Sequence, residues 1–250
     1  MFIDVHAHLD FYDDAKIKEI IERARKAGVG IIVNSGIEPK RTRKTMELAS
    51  KYPEIQVALG IYPLEMLKMS EKTIEEEFEF IRKNKGKIIA IGEIGMDLKE
   101  ASDVKKQKEN FERLLKLALE LGLPVLIHSR KAELECIEVL ERLGMKKVIM
   151  HCFSGKMSLV KRAKENDWYF TIPTNVTFSE HFQNMIKEIP IERLLCETDS
   201  PFLHPVKGKR DNEPANVIES YKKIAEVKNI SLKECEKKIE ENFKRVFRKE

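Results

Sequence analysis

Short apolar runs alternate with longer amphipathic ones along the whole chain. The runs of four to six residues are rich in Val, Ile and Leu and predict strands at 2–6, 30–34, 56–60, 88–93, 125–128, 148–151, 169–172 and 193–197. Between them, apolar residues recur at helical spacing, as at Ile17, Ile20, Ile21 and Ala24. That spacing predicts helices at 15–27, 40–51, 74–83, 105–121, 132–143, 158–166 and 180–187. Two more helices, at 215–228 and 232–247, close the chain. Gly28, Gly122 and Gly144 stand where three of these helices should end, because glycine enters the left-handed conformation of a C-cap without a Cβ clash. Eight strands, each followed by a helix, predict a (β/α)8 TIM barrel. The alternative is an open doubly wound sheet, which gathers its ligands at one switch point.

The chemistry sits at the ends of the strands. His6 and His8 are two apart in a strand-like segment, so both imidazoles face the same way and offer two nitrogens to one metal. His128 and His151 each end an apolar run, and so does Glu93; Asp199 follows the last run. These groups come from strands one, four, five, six and eight. Only a closed barrel brings all of those ends to one centre, so the pattern favours the barrel and a metal at its C-terminal mouth. Asp4 shares the strand parity of His6 and is read either as a carboxylate orienting a ligand histidine or as a purely structural hydrogen-bond partner. Asp97 is open in the same way. His181 and His204 fall outside the pattern: His181, in an amphipathic helix, is assigned to the surface, and His204, in the 199–211 loop, is open to a substrate contact, with a role outside the site favoured.

Composition narrows the class. The 250 residues with 42% hydrophobic content suit one α/β domain, taken as 1–250, and contain no linker, repeat or low-complexity stretch. No apolar run is long enough to cross a membrane. A net charge of +4 among 35% charged residues describes a mixed solvated surface and is no signature of nucleic-acid binding. Cys136, Cys152, Cys196 and Cys235 have no disulfide-like spacing. With no room for a signal peptide before the first strand, the expectation is a cytoplasmic protein with reduced thiols and no obligate protein partner.

Five segments carry a family resemblance: Val5-His6-Ala7-His8-Leu9, Gly92-Glu93-Ile94-Gly95-Met96-Asp97, His128-Ser129-Arg130, His151-Cys152-Phe153-Ser154-Gly155 and Glu197-Thr198-Asp199-Ser200-Pro201. In this order they resemble the motif set of the TatD-type metal-dependent deoxyribonucleases, and Gly208-Lys209-Arg210 with Asn212-Glu213-Pro214 is similar to a later loop of that family. The resemblance runs nearly end to end and implies an amidohydrolase-like barrel holding one or two divalent ions (Zn, Mn or Mg) and acting on phosphodiester bonds. It implies that His6 and His8 hold a first ion, that His128 and His151 hold a second, and that Glu93 bridges them. Asp199 would complete the first site and handle a proton, so Glu93 and Asp199 are the expected catalytic carboxylates. Arg130 and Arg210 would bind phosphate oxygens above the ions. One departure concerns the substrate. Where the family has Gly-x-His-Pro after the third strand, this chain has Gly60-Ile61-Tyr62-Pro63. Tyr62 can hydrogen-bond a phosphate but carries no positive charge, which leaves a small-molecule amide, lactone or phosphoester open as the alternative to DNA. An inactive binding protein is the third reading, opposed by the complete donor set.

Overall fold

In the computed structural model, residues 1–247 are described, and the predicted alternation closes on itself. The strands are β1 (Phe2–Ala7), β2 (Val29–Gly36), β3 (Ile55–Leu59), β4 (Ala90–Gly95), β5 (Val125–His128), β6 (Val148–Met150), β7 (Tyr169–Pro173) and β8 (Leu194–Glu197). All pair in parallel in sequence order. The seam between the first and last strands is a single bridge, Ala7 to Ser200, flanked by two backbone hydrogen bonds. The His8 amide donates to the Ser200 carbonyl at 2.8 Å and the Asp199 amide to the His6 carbonyl at 2.9 Å. Below them the buried Asp4 carboxylate accepts from the Thr198 amide at 2.9 Å and from the Thr198 hydroxyl at 2.5 Å. Burial pushes the Asp4 carboxyl up to about 8, against the lowering effect of these bonds. Of the two roles open to Asp4, the structure gives the structural one: it ties β1 to β8.

The helices are α1 (Asp14–Lys26), α2 (Pro39–Lys51), α3 (Pro63–Lys68), α4 (Glu71–Lys83), α5 (Val104–Leu121), α6 (Glu133–Arg142), α7 (Met157–Glu165), α8 (Glu180–Glu188), α9 (Ile218–Lys228) and α10 (Leu232–Phe247). Asp13, Ser70 and Asp103 cap α1, α4 and α5 by accepting the backbone N–H three residues on. Gly28, Gly122 and Gly144 have φ of +82°, +67° and +65°, as the helix-end reading requires. The short α3 was not anticipated; its six residues bury only Pro63 and Met66, too few to make a period. One continuous cluster of buried apolar side chains runs from Ile3 to Phe247 between the strands and the helices. His6 and Asp4 of β1, His8 just beyond it, and the acids of β4 and β8 are all buried. No described helix is long and apolar enough to cross a membrane.

Candidate metal centre

The C-terminal ends of β1, β4, β5, β6 and β8 deliver His6, His8, Glu93, His128, His151 and Asp199 to one place. Parity in β1 works as expected: the Nε2 atoms of His6 and His8 approach to 3.0 Å. Both also lie 3.6 Å from one Asp199 oxygen. Glu93 divides its two oxygens. Oε2 lies 3.6 Å from His6 and 3.5 Å from His8, whereas Oε1 lies 2.5 Å from His128 Nδ1 and 3.6 Å from His151 Nε2. Close packing of β4 on β5 makes this placement possible. A Cβ on Gly92 would come within 2.5 Å of Leu126 Cβ, and one on Gly95 within 1.9 Å of the His128 carbonyl oxygen.

Two overlapping donor triads result, His6–Glu93–His151 and His6–His8–Asp199, with the donor atoms of each within 4.8 Å of one another. Metal bonds of roughly 2.0–2.2 Å place tetrahedral ligand atoms about 3.3–3.6 Å apart. The 3.5–3.6 Å separations from the histidine nitrogens to the two carboxylates match that edge, so these residues fit a divalent ion. His128 belongs to neither triad; it is closed against Glu93 instead.

Each histidine is also held through its other nitrogen, which fixes the orientation of the ring. His8 Nδ1 donates to the Ser35 carbonyl at 3.0 Å, and His6 Nδ1 sits 3.1 Å from the Ser35 hydroxyl. His151 Nδ1 is held by Glu197 at 2.7 Å. His128 Nε2 lies 3.2 Å from the Tyr62 hydroxyl and 3.3 Å from Asp97. Asp97 is thereby resolved as an orienting carboxylate. Ser35 and the orienting role of Glu197 had no signal in the strand pattern.

Electrostatics follow the pairing. Burial holds His6 neutral, well below its ordinary value, reinforced by the neighbouring His151. Burial also opposes charge on His8 and His151, yet Glu93 lifts His8 to about 9 and Glu197 lifts His151 to about 10. Burial resists charge on Glu93 too, but His128 prevails and holds its carboxyl well below the usual range. Burial raises Asp199 to about 6 despite the histidines beside it. A neutral donor beside ionised carboxylates attracts a cation, which would displace the protons that His8 and His151 otherwise hold.

Around the donors lies a cavity of about 540 Å³, within the range of small-ligand sites. Tyr62 and Arg130 line it, but both turn to Asp97. The Tyr62 hydroxyl donates to Asp97 at 2.6 Å, the Arg130 Nε donates at 2.8 Å, and Arg130 Nη2 also reaches Glu100 at 3.0 Å. Arg210 stands exposed on the loop after β8 and does not line the cavity.

The sequence model of the TatD related DNase family matches residues 3–248. The chain belongs to that family. It is 36% identical over 251 residues to a protein of Methanocaldococcus jannaschii named an uncharacterized metal-dependent hydrolase, covering 99% of this chain and 97% of that one. It is 31% identical over 260 residues to human deoxyribonuclease TATDN3, covering 99% of this chain and 94% of the human one. In structure it superposes on YjjV, a TatD homologue from Escherichia coli K12, with a TM-score of 0.92 at 26% identity, covering 98% and 97% of the two chains. The chain is therefore a TatD-family hydrolase on a (β/α)8 barrel.

Proposed function

We propose that this TatD-family enzyme, as one domain over 1–250, cleaves phosphodiester bonds in DNA, using one or two divalent ions held by His6, His8, Glu93, His128, His151 and Asp199. The observation that carries the reading is the shared edge: His6 belongs to both triads, and each Glu93 oxygen faces a different pair of histidines. A bound divalent ion would supply Lewis-acid stabilisation of phosphate charge and acidify a water. The chain's own residues do the rest. Glu93 offers one oxygen to each side, so negative charge is distributed between the two triads. Asp199, buried beside His6 and His8, is the group placed to take a proton from the attacking water. The Ser35 carbonyl fixes His8, so that ring does not have to reorient when substrate arrives, and Asp97 holds the outer nitrogen of His128.

The relative named a deoxyribonuclease supports DNA as substrate. A second reading, a small ester or amide, is favoured by one observation: the cations expected to grip phosphate are engaged or remote, with Arg130 closed on Asp97 and Arg210 outside the cavity. Zn, Mn and Mg all suit mixed nitrogen and oxygen donors. The cytoplasm is the proposed compartment, supported by four free cysteines among the described residues. The test is protein reconstituted separately with Zn, Mn and Mg, assayed on 5′- and 3′-labelled single-stranded DNA beside a panel of small esters and amides. DNA cleavage that chelator abolishes and metal restores is expected. Turnover confined to small substrates would replace the first reading by the second.

A further inference from the structure

Two phenylalanines at the mouth are left over from the metal chemistry. Phe11 is 40% exposed and Phe202 is 50% exposed, and both line the same cavity as His8 and Asp199. Each stands three residues beyond a candidate donor and is fixed to it by a turn. The Phe11 amide donates to the His8 carbonyl at 3.2 Å, and the Phe202 amide donates to the Asp199 carbonyl at 2.8 Å. The rings meet edge to face, with centroids 6.0 Å apart and planes at 81°. Phe11 is fixed further from behind. The Arg41 guanidinium lies 3.7 Å over its ring, and that arginine bonds the Asp10 carboxylate at 3.2 Å and the Asp10 carbonyl at 3.3 Å. Asn34 then holds Asp10 at 3.0 Å. Tyr62 and Arg130, which also line the cavity, are polar and engaged with Asp97.

Two rigid rings left in water beside a charged pocket form an apolar surface that packing alone does not explain. Their distance from the donors is set by a three-residue turn on both sides of the barrel seam, so both rings stand on the cavity wall close to where a phosphate at the donors would sit. We propose that Phe11 and Phe202 form the stacking wall for the unpaired nucleobase of the nucleotide attached to the phosphate being cleaved. This inference rests on the phosphodiesterase reading and assigns these two side chains of that site their role. A base inside a duplex has both faces covered by its neighbours and cannot present one to the wall. An aromatic face accepts any of the four bases.

The test uses the calcium-loaded full chain and single-stranded oligonucleotides carrying 2-aminopurine at the 3′ or the 5′ end. Matched strands carry a tetrahydrofuran abasic residue instead. The parent should quench 2-aminopurine at one end and prefer base-bearing to abasic strands roughly 5- to 150-fold. Phe11→Ala and Phe202→Leu should each lose quenching and bring that preference towards one; leucine keeps apolar bulk at an exposed position and separates stacking from folding. Equal parent affinity for base-bearing and abasic strands, or undiminished quenching in both variants, would overturn the wall. A parent that quenches and discriminates but cleaves no DNA with any metal would keep the wall and remove the hydrolytic reading. DNA cleavage without base discrimination would do the reverse.

Discussion

The two sides of the candidate metal centre differ in what their histidines are doing. On the β1/β8 side, His6, His8 and Asp199 converge with their inner atoms facing one another at separations already suited to a metal. On the β4/β5 side, His128 is closed onto Glu93 at 2.5 Å, while its far nitrogen meets Asp97, Tyr62 and, through Asp97, Arg130. The first side has the spacing a cation needs, and only the His8 proton has to give way there. The second satisfies its charges internally, and His128 has to leave Glu93 before it can serve as a ligand. The difference teaches that convergence and readiness are separate properties: six donors can meet in space while only part of the set is open. It also implies an order of loading, β1/β8 first.

The sharpest break is Asp199→Asn. The amide keeps an oxygen donor but cannot accept a proton, so kcat should fall by about 10²–10⁴ while metal content falls less. Rate measurements on matched metal-loaded samples check this, and near-parental turnover would confine Asp199 to structure. Next is Glu93→Gln, which touches both sides at once. Metal content by elemental analysis should drop, and with it the stabilisation that a ligand of the folded state provides, about 2.7 kcal/mol at 100-fold excess over Kd. Parallel melts with and without chelator measure the loss; undiminished metal would deny Glu93 its shared role.

Tyr62→Phe should act only on the β4/β5 side. It removes one donor to Asp97, and loss of such an orienting bond typically costs about 10- to 100-fold in metal affinity or activity. Titration should show the weaker metal step affected and the tighter one unchanged; an effect on the tighter step would erase the distinction drawn between the sides. The smallest effect is expected far from both, at the pair in which Arg25 donates to Glu54 at 2.5 and 3.0 Å. Arg25 hydrogen bonding lowers the Glu54 carboxyl in the folded chain. Its contribution is therefore present above the unfolded carboxyl value and lost as pH falls through the folded one. Arg25→Met should lower Tm at pH 7 by no more than about 2–4 °C, and the difference should vanish in acid.

The strand and helix order was legible because each period repeats locally: residue pairs two apart reveal a strand face, and three or four apart a helix face. His6 and His8 therefore announced their shared direction. Periodicity says which residues share a face and nothing about what lies opposite. Ser35 looks like an ordinary polar residue in β2 until β1 places two imidazoles beside it. Tyr62 was read as a substrate contact because its motif position lies at the mouth, whereas its hydroxyl is taken by Asp97, 35 residues away. Arg210 shows the same gap: its position after β8 is legible, but a loop with neither period nor burial carries no information about where its side chain stands.

The seam between β1 and β8 bears on how the enzyme is made. One triad draws His6 and His8 from the start of the chain and Asp199 from near its end, joined across the bridge from Ala7 to Ser200. A ribosome therefore carries a nascent polypeptide through most of its synthesis before His6 and His8 can meet Asp199. A chain stopped before Asp199 has no complete β1/β8 triad, whatever metal surrounds it. Competence at that triad arrives as a single late event, which keeps incomplete copies of the hydrolase from acting there.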